Sequence, residues 1–424
     1  MLNRRQWLGA AGALGTLGLS ACATPIPGRA QVVVVGGGYG GATAARYLRL
    51  LSEGQVEVVL IEPNPRFISC PISNLVLSGD RRLDELGRGY EGLQALGVRV
   101  VRDHVAAIDA AGHRVRLGSG AEIGYTRLVL SPGIDFMFDA VEGLGAAHAA
   151  GQALHAWKAG PETLALRRQL EDLPDGGVFA IAIPEAPYRC PPGPYERASV
   201  VASYFKRHKP RSKVLVLDAN PDVTSKGALF KKVWAEDFAG QLEYRPGHRL
   251  AAVSGAQRTL HFEAQPDLRA DVLNVLPPMR AGRLAVDSGL ASSGDGRWVG
   301  VDYQGFEAKA APDIHVIGDA IQLAPGMPKS GHMANSHGKV AAAAVIARLR
   351  GWDLDPAPVL TNTCYSFVDA QRVIHVASVH QYAAAEKTYK TVPGSGGLSA
   401  APNAQEGLYA WNWARTIWSD SLGA

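Results

Sequence analysis

Residues 31–62 constrain this chain more than any other stretch. Gln31-Val32-Val33-Val34-Val35 has the unbroken apolar pattern of a strand buried on both faces. It runs straight into Gly36-Gly37-Gly38-Tyr39-Gly40-Gly41 and then into the helix-forming Ala42-Thr43-Ala44-Ala45-Arg46-Tyr47-Leu48. A second strand over residues 56–61 ends on Glu62. Gly36, Gly38 and Gly41 satisfy the G-x-G-x-x-G spacing, and an acid follows the last of them at the distance a βαβ unit requires. Strand, glycines, helix, strand and terminal acid together specify a dinucleotide-binding unit. Glycines let backbone approach a pyrophosphate, the helix N-terminus offers it free N–H groups, and the acid accepts from ribose hydroxyls. Gly36, Gly38, Gly41 and Glu62 are therefore assigned to the cofactor, while Gly37 and Gly40 ease the turn.

Two later segments favour FAD over NAD. Tyr125-Thr126-Arg127-Leu128-Val129-Leu130-Ser131-Pro132-Gly133 resembles the second FAD-family segment and adds Gly133 to the cofactor set. Ile314-His315-Val316-Ile317-Gly318-Asp319-Ala320 resembles the third, in which the acid, here Asp319, meets the flavin's ribityl chain. The three segments resemble flavoproteins of the glutathione reductase type. The expected class is α/β, with two doubly wound, Rossmann-like dinucleotide-binding domains and a C-terminal α+β domain. The expected boundaries are 31–150 and 280–345 for a split FAD domain, 151–279 for an inserted NAD-type domain and 346–424 for the C-terminal domain.

The insertion departs from its type. Gly177-Val178-Phe179-Ala180-Ile181-Ala182-Ile183 is a suitable strand, yet Pro184-Glu185-Ala186-Pro187-Tyr188-Arg189-Cys190-Pro191-Pro192-Gly193 follows it instead of a glycine loop. Prolines remove backbone donors, so side chains are expected to fill the nicotinamide crevice. A further strand at Lys213-Val214-Leu215-Val216-Leu217-Asp218 keeps the scaffold.

The first thirty residues differ from the rest. Asn3-Arg4-Arg5-Gln6-Trp7-Leu8 opens a stretch rich in Gly, Ala and Leu with no acid before Glu53, the layout of a twin-arginine export signal, so the expected location is the periplasm. Two exits are open. Ala21-Cys22-Ala23 fits cleavage to a soluble product, and Leu19-Ser20-Ala21-Cys22 fits a lipid anchor at Cys22. The apolar run is short for a membrane span. The 424 residues hold 43 basic against 39 acidic side chains, a balance without the signature of nucleic-acid binding.

Beyond the leader stand Cys70, Cys190 and Cys364. An oxidising compartment permits a disulfide, and an odd count gives one cysteine another task. A bond between Cys190 and Cys364 is open to two readings, a structural staple or a redox pair beside a flavin. At Ser69-Cys70-Pro71-Ile72-Ser73-Asn74, the 188–199 loop, Asp271-Val272-Leu273-Asn274-Val275-Leu276-Pro277-Pro278, Met327-Pro328-Lys329-Ser330 and Asn362-Thr363-Cys364-Tyr365-Ser366, the chain resembles the flavoprotein subunit of flavocytochrome c sulfide dehydrogenase. That resemblance implies a Cys190–Cys364 redox disulfide, a covalent link from Cys70 to FAD, and Glu196 as the proton-moving acid. It also implies Trp413 and Lys329 near the flavin, with the helical run from Ser336 aiming its N-terminus at the pyrimidine. Hydrosulfide would attack the disulfide, and a c-type cytochrome subunit in a heterodimer would take the electrons, since the chain has no Cys-x-x-Cys-His for a haem of its own. Sulfide:quinone reduction, NADH-dependent disulfide reduction and a noncatalytic flavoprotein are the competing readings. No metal-ligand spacing emerges among the 12 histidines, which are expected to serve packing or surface.

Overall fold

The computed structural model describes residues 30–293 and 295–423. The expected leader, with Arg4, Arg5 and Cys22, lies outside the described residues except for Ala30. The elements that position the site are, in chain order, β1 (Gln31–Val35), α1 (Tyr39–Leu51), β2 (Glu57–Ile61), β3 (Val98–Val101), β4 (Arg127–Leu130), β5 (Ala153–Leu154), α2 (Pro161–Asp172), β6 (Val178–Ile183), α3 (Gly193–His208), β7 (Lys213–Asp218), α4 (Gly227–Asp237), β8 (Leu242–Arg245), β9 (Val272–Val275), β10 (Ile314–Val316), α5 (Gly331–Arg350), β11 (Val359–Phe367), β12 (Val373–Ala383), β13 (Thr388–Thr391) and α6 (Ala404–Leu422).

Val32 to Val35 are all buried, so β1 needs partners on both edges and cover on both faces. It has them. β1 lies parallel to β2 on one side and to β4 on the other, within the parallel order β10-β4-β1-β2-β3. Each valine fully buried in that stack stabilises the domain by roughly 1.5–3 kcal/mol. An antiparallel hairpin, Val301–Asp302 with Glu307–Ala308, closes the β10 edge. α1 and α5 pack so closely that a Cβ on Gly338 would stand 2.6 Å from the Gly40 carbonyl oxygen.

The inserted domain is a second parallel sheet, ordered β5-β9-β6-β7-β8. β6 and β7 are the apolar runs expected at 177–183 and 213–218, and both are buried past their first residue. The chain leaves and re-enters the first domain through an antiparallel pair, Ile134–Phe136 with Met279–Ala281. The C-terminal part is α+β: β11, β12 and β13 are antiparallel, and α6 follows. The expected boundary at 346 falls inside α5, which ends at Arg350, and the new sheet begins only at Val359. α6 is tied to the first domain by Tyr47 Oη donating to Asp420 at 2.7 Å and Thr43 Oγ1 to Ser421 at 2.9 Å. The class read from the sequence, two doubly wound sheets with a C-terminal α+β layer, is the class observed. No helix among the described residues is long and apolar enough to cross a membrane.

Candidate active site

A cavity of about 680 Å³ opens where the three parts meet, lined from Gly38 and Glu62 at one end to Cys190, Cys364 and Trp413 at the other. All three parts contribute to the wall: residues that follow β1, β4 and β10 in the first domain, the Cys190 loop after β6 in the inserted domain, and Cys364 of β11 with Trp413 of α6 in the C-terminal part.

At the glycine end, Gly37, Gly38 and Gly40 are on the wall. Gly36 and Gly41, expected as ligand contacts, stand off it. Gly36 has φ +95, and a Cβ on Gly41 would lie 1.9 Å from the Gly36 carbonyl oxygen. Those two glycines let α1 spring directly off β1, and the residues between them meet the cavity. The Glu62 carboxylate accepts the Gly37 N–H at 2.7 Å, and its other oxygen accepts both the backbone and side-chain N–H of Asn64. These bonds orient the acid at the tip of β2 while leaving it on the cavity wall. Gly133 lines the same space with a left-handed φ of +66.

Asp319 sits at the far end of β10, on the wall. Its Oδ1 is buried and has no hydrogen-bond partner among the described residues. Burial pushes its carboxyl up, while Arg189 and Lys329 pull it back. A buried carboxylate oxygen without a donor is costly unless a ligand supplies one. The ribityl and ribose hydroxyls of a flavin dinucleotide are donors of that kind. Beside it stands the N-terminus of α5, capped by Ser330 Oγ, which accepts from Met333 N at 3.0 Å. Ser330, Gly331 and His332 are on the wall, so the positive helix end faces the cavity. The helix thus begins five residues before the run at Ser336 expected to aim at the cofactor. The residues present fit FAD.

Lys329 does not point into this cavity. Its Nζ donates to the carbonyls of Asp319 and Ile321 at 2.8 and 2.7 Å and lies 3.6 Å from the Trp298 ring centroid. Burial pushes it down to about 7. Its backbone instead receives the Cys190 N–H at 2.8 Å, so it supports the cysteine loop.

All three cysteine sulfurs belong to residues of the cavity wall, and all three are free thiols in this structure. Two of the loops that present them are strained. Cys190 has φ +58, and Ile72, two residues after Cys70, has φ +75, a conformation that β-branched residues rarely adopt. Arg189, which the sequence reading passed over, donates to Cys70 Sγ at 3.5 Å and to the Trp157 carbonyl. Cys364 lies mid-strand in β11, beside Asn362, whose Nδ2 approaches its sulfur at 3.5 Å. Ser330 Oγ donates to Asn362 Oδ1 at 2.6 Å, linking the helix start to this cysteine. Burial pushes both the Cys190 and Cys364 thiols up; Lys226 is the first charge to draw Cys364 back down, and Arg189 and then Lys226 oppose the rise of Cys190.

Glu196 opens α3 on the same wall. It forms no ion pair with its neighbour Arg197, whose guanidinium is spent on Asn74, Asn274 and the carbonyls of His155 and Ala156. Burial pushes Glu196 up to about 7, with Lys226 the strongest opposing charge. Such a carboxyl can give or take a proton near neutrality. Trp413 is on the wall, near Tyr365 and His332, whereas Trp418 is buried and donates to Tyr39 Oη at 3.1 Å. Trp411 covers Arg81 on the outside.

At the carboxyl ends of β6 and β7, where a nicotinamide dinucleotide would dock, side chains bond to one another in a cluster beside a smaller cavity of about 170 Å³. Asp218 accepts from Tyr195 at 2.7 Å, Tyr244 at 3.0 Å and Asn220 at 2.7 Å, and Tyr188 joins through Thr224 at 2.9 Å. One histidine group escaped the sequence reading. His148, His155 and Glu162 bring three ligand atoms within 4.8 Å of one another. The Glu162 oxygens lie 3.1 and 3.0 Å from the two rings, and one also accepts the His155 backbone N–H.

Comparison with known proteins gives three family matches. Residues 30–163 match the pyridine nucleotide-disulphide oxidoreductases, 163–277 the central domain of the sulfide dehydrogenase [flavocytochrome c] flavoprotein chain, and 356–422 the flavocytochrome c sulphide dehydrogenase flavin-binding domain. A sulfide dehydrogenase [flavocytochrome c] flavoprotein chain from Chlorobaculum thiosulfatiphilum is 53% identical over 49 residues, which is 12% of this chain and 100% of that sequence. The mitochondrial sulfide:quinone oxidoreductase of Mus musculus is 26% identical over 314 residues, 69% of this chain and 66% of that protein. The chain thus spans just under two thirds of that relative. Among solved structures, the sulfide:quinone oxidoreductase of Aquifex aeolicus superposes with a TM-score of 0.76 at 17% identity, over 93% of this chain and 92% of that one.

Proposed function

We propose a function on the premise that the chain belongs to the pyridine nucleotide-disulphide oxidoreductases and carries the domains of the flavocytochrome c sulfide dehydrogenase flavoprotein chain. It is an FAD-dependent enzyme that oxidises sulfide and passes the electrons to a c-type cytochrome subunit. The observation that carries this reading is the convergence of Cys190 and Cys364 on one cavity with a wall that fits FAD.

Hydrosulfide attacks one sulfur of a Cys190–Cys364 disulfide. The S–S bond breaks, a persulfide forms on the attacked cysteine, and the other sulfur leaves as a thiolate, so the sulfide sulfur is oxidised and the leaving cysteine reduced. FAD, when bound, would supply a two-electron acceptor able to give electrons up singly to a one-electron partner. Glu196, with its carboxyl near 7, takes or returns the sulfide proton. Cys70, a free thiol on the cavity wall here, would hold the cofactor through a thioether and so keep it from being lost after twin-arginine export to the periplasm. The Asp218 cluster, which stands where a glycine loop would receive a nicotinamide dinucleotide, supports a donor other than NADH.

A second reading, electron delivery to a quinone, draws support from the likeness to the mouse and Aquifex aeolicus proteins. One experiment tests both. The purified holoprotein is supplied with sulfide and, in turn, a c-type cytochrome or a soluble quinone. The expected result is sulfide-dependent cytochrome reduction faster than quinone reduction. The reverse preference selects the second reading, and no reduction of either acceptor removes both.

A further inference from the structure

Lys226 reaches from the inserted domain into the C-terminal sheet. It precedes α4 with a left-handed backbone, φ +58, and only 7% of it is exposed. An ammonium has three N–H donors. Lys226 places them on Ser366 Oγ at 2.7 Å, the Cys364 carbonyl at 3.0 Å and the Ile374 carbonyl at 3.3 Å. Cys364 and Ser366 are two apart on β11, so their side chains point to the same face of the strand. The ammonium that holds the Ser366 hydroxyl therefore lies on the face to which the Cys364 sulfur points. All three hydrogen-bond acceptors are neutral oxygens, and the anionic groups that feel the ammonium are Cys364 first and the buried Glu196 carboxyl second. Cys190 feels the same ammonium less than Cys364 does, and the guanidinium of its neighbour Arg189 is turned onto Cys70 and the Trp157 carbonyl. Lys226 is not on the cavity wall.

We propose that Lys226 is a positioning residue that makes Cys364 the thiolate-bearing sulfur of the pair, so that incoming hydrosulfide bonds to Cys190. In that step the new S–S bond forms at Cys190 Sγ, the Cys190–Cys364 bond breaks, and its electron pair goes to Cys364 Sγ beside the ammonium. The proton stays on the terminal sulfur of the persulfide. The attack by sulfide rests on the function proposed above, whereas the placement of the thiolate does not depend on which nucleophile arrives.

The test is thiol reactivity. The holoprotein is reduced with dithiothreitol, treated briefly with iodoacetamide, and the labelling of Cys364 and Cys190 is quantified by peptide mass spectrometry. In the wild-type protein Cys364 is expected to react faster. Lys226→Met should slow Cys364 about tenfold, the equivalent of one pKa unit, with Cys190 changed by less than about twofold, and Lys226→Arg should restore most of the rate. Faster labelling of Cys190 in the wild type, or an unchanged ratio in a folded Lys226→Met, overturns the proposal. If Lys226→Met does not fold, Lys226→Gln, which keeps donors for the same oxygens without the charge, takes its place, and an unchanged ratio in that variant likewise overturns the proposal. A protein whose Cys364 is the faster thiol but whose flavin does not respond to sulfide would end the sulfide reading and leave the role of Lys226 standing.

Discussion

The Glu196 carboxylate accepts the backbone N–H of Phe367 at 3.3 Å, tying the first turn of α3 to the end of the strand that carries Cys364. Burial pushes this carboxyl up from 4.5 to about 7. Between those values the folded chain keeps a proton that the unfolded chain has released, so the contribution of this group to stability falls as pH rises through the window. Glu196→Gln keeps an acceptor for Phe367 and removes the titration. Relative to this variant, the wild-type urea midpoint should drop between about pH 5 and about pH 7, and a limb near 7 in the pH–rate profile should vanish in the variant. Parallel midpoints across that range would contradict the assignment.

Asp319→Ala separates the cost of an empty acceptor from its use. Asp319 Oδ1 is buried without a donor among the described residues, so removing it should leave the flavin-free protein as stable as wild type or more so. FAD affinity should fall at the same time, by roughly 1.5–3 kcal/mol for a lost charged hydrogen bond. Flavin titration and thermal melts of the flavin-free Cys70→Ser background read the two effects apart. A variant that loses stability and keeps its affinity would show that Asp319 serves the fold alone.

Gly41→Ala would place a methyl 1.9 Å from the Gly36 carbonyl oxygen, whereas Gly40→Ala would meet the Ser131 hydroxyl at 2.8 Å, a side chain able to turn away. The first variant should destabilise the protein by on the order of 3 kcal/mol and lose its flavin; the second should cost well under half of that. Denaturant melts with flavin content per chain check the order.

Much of this architecture could be read from residues 31–62 because burial on both faces of β1 and a glycine turn leave few alternatives. The same pattern could not say which glycines face the cavity, since spacing fixes a tight loop but not the direction each residue presents. Gly36 and Gly41 consequently serve the crossing of β1 and α1, and their neighbours line the wall. Lys329 shows a similar limit. Its place before a helix was legible, but the turn of its side chain toward the Asp319 and Ile321 carbonyls depends on tertiary packing. Cys190, Cys364 and Glu196 were picked out through the resemblance of a proline loop and a short strand motif to a known family, and all three line one cavity. Lys226 carried no local signal, for its acceptors lie 138 to 148 residues further along the chain.

The Asp218 cluster and the proline loop without a glycine turn predict that NADH does not bleach the flavin. Asp218→Ala should not create that activity, because Tyr188, Tyr195 and Tyr244 remain in the space, but it leaves Tyr195, Tyr244 and Asn220 without their shared acceptor. The expected loss is about 1–3 kcal/mol in urea denaturation. Flavin reduction by NADH in the wild type would show that the cluster opens.

The most direct test of the account is anaerobic titration of the purified FAD-loaded protein with sulfide, in the wild type and in Cys190→Ser, following the visible absorbance of the flavin. The wild type is expected to bleach with a stoichiometric amount of sulfide, and Cys190→Ser to keep its flavin oxidised although the cofactor is fully bound. A wild-type flavin that stays oxidised, or a Cys190→Ser protein that bleaches as fast as wild type, would contradict sulfide oxidation through this cysteine pair.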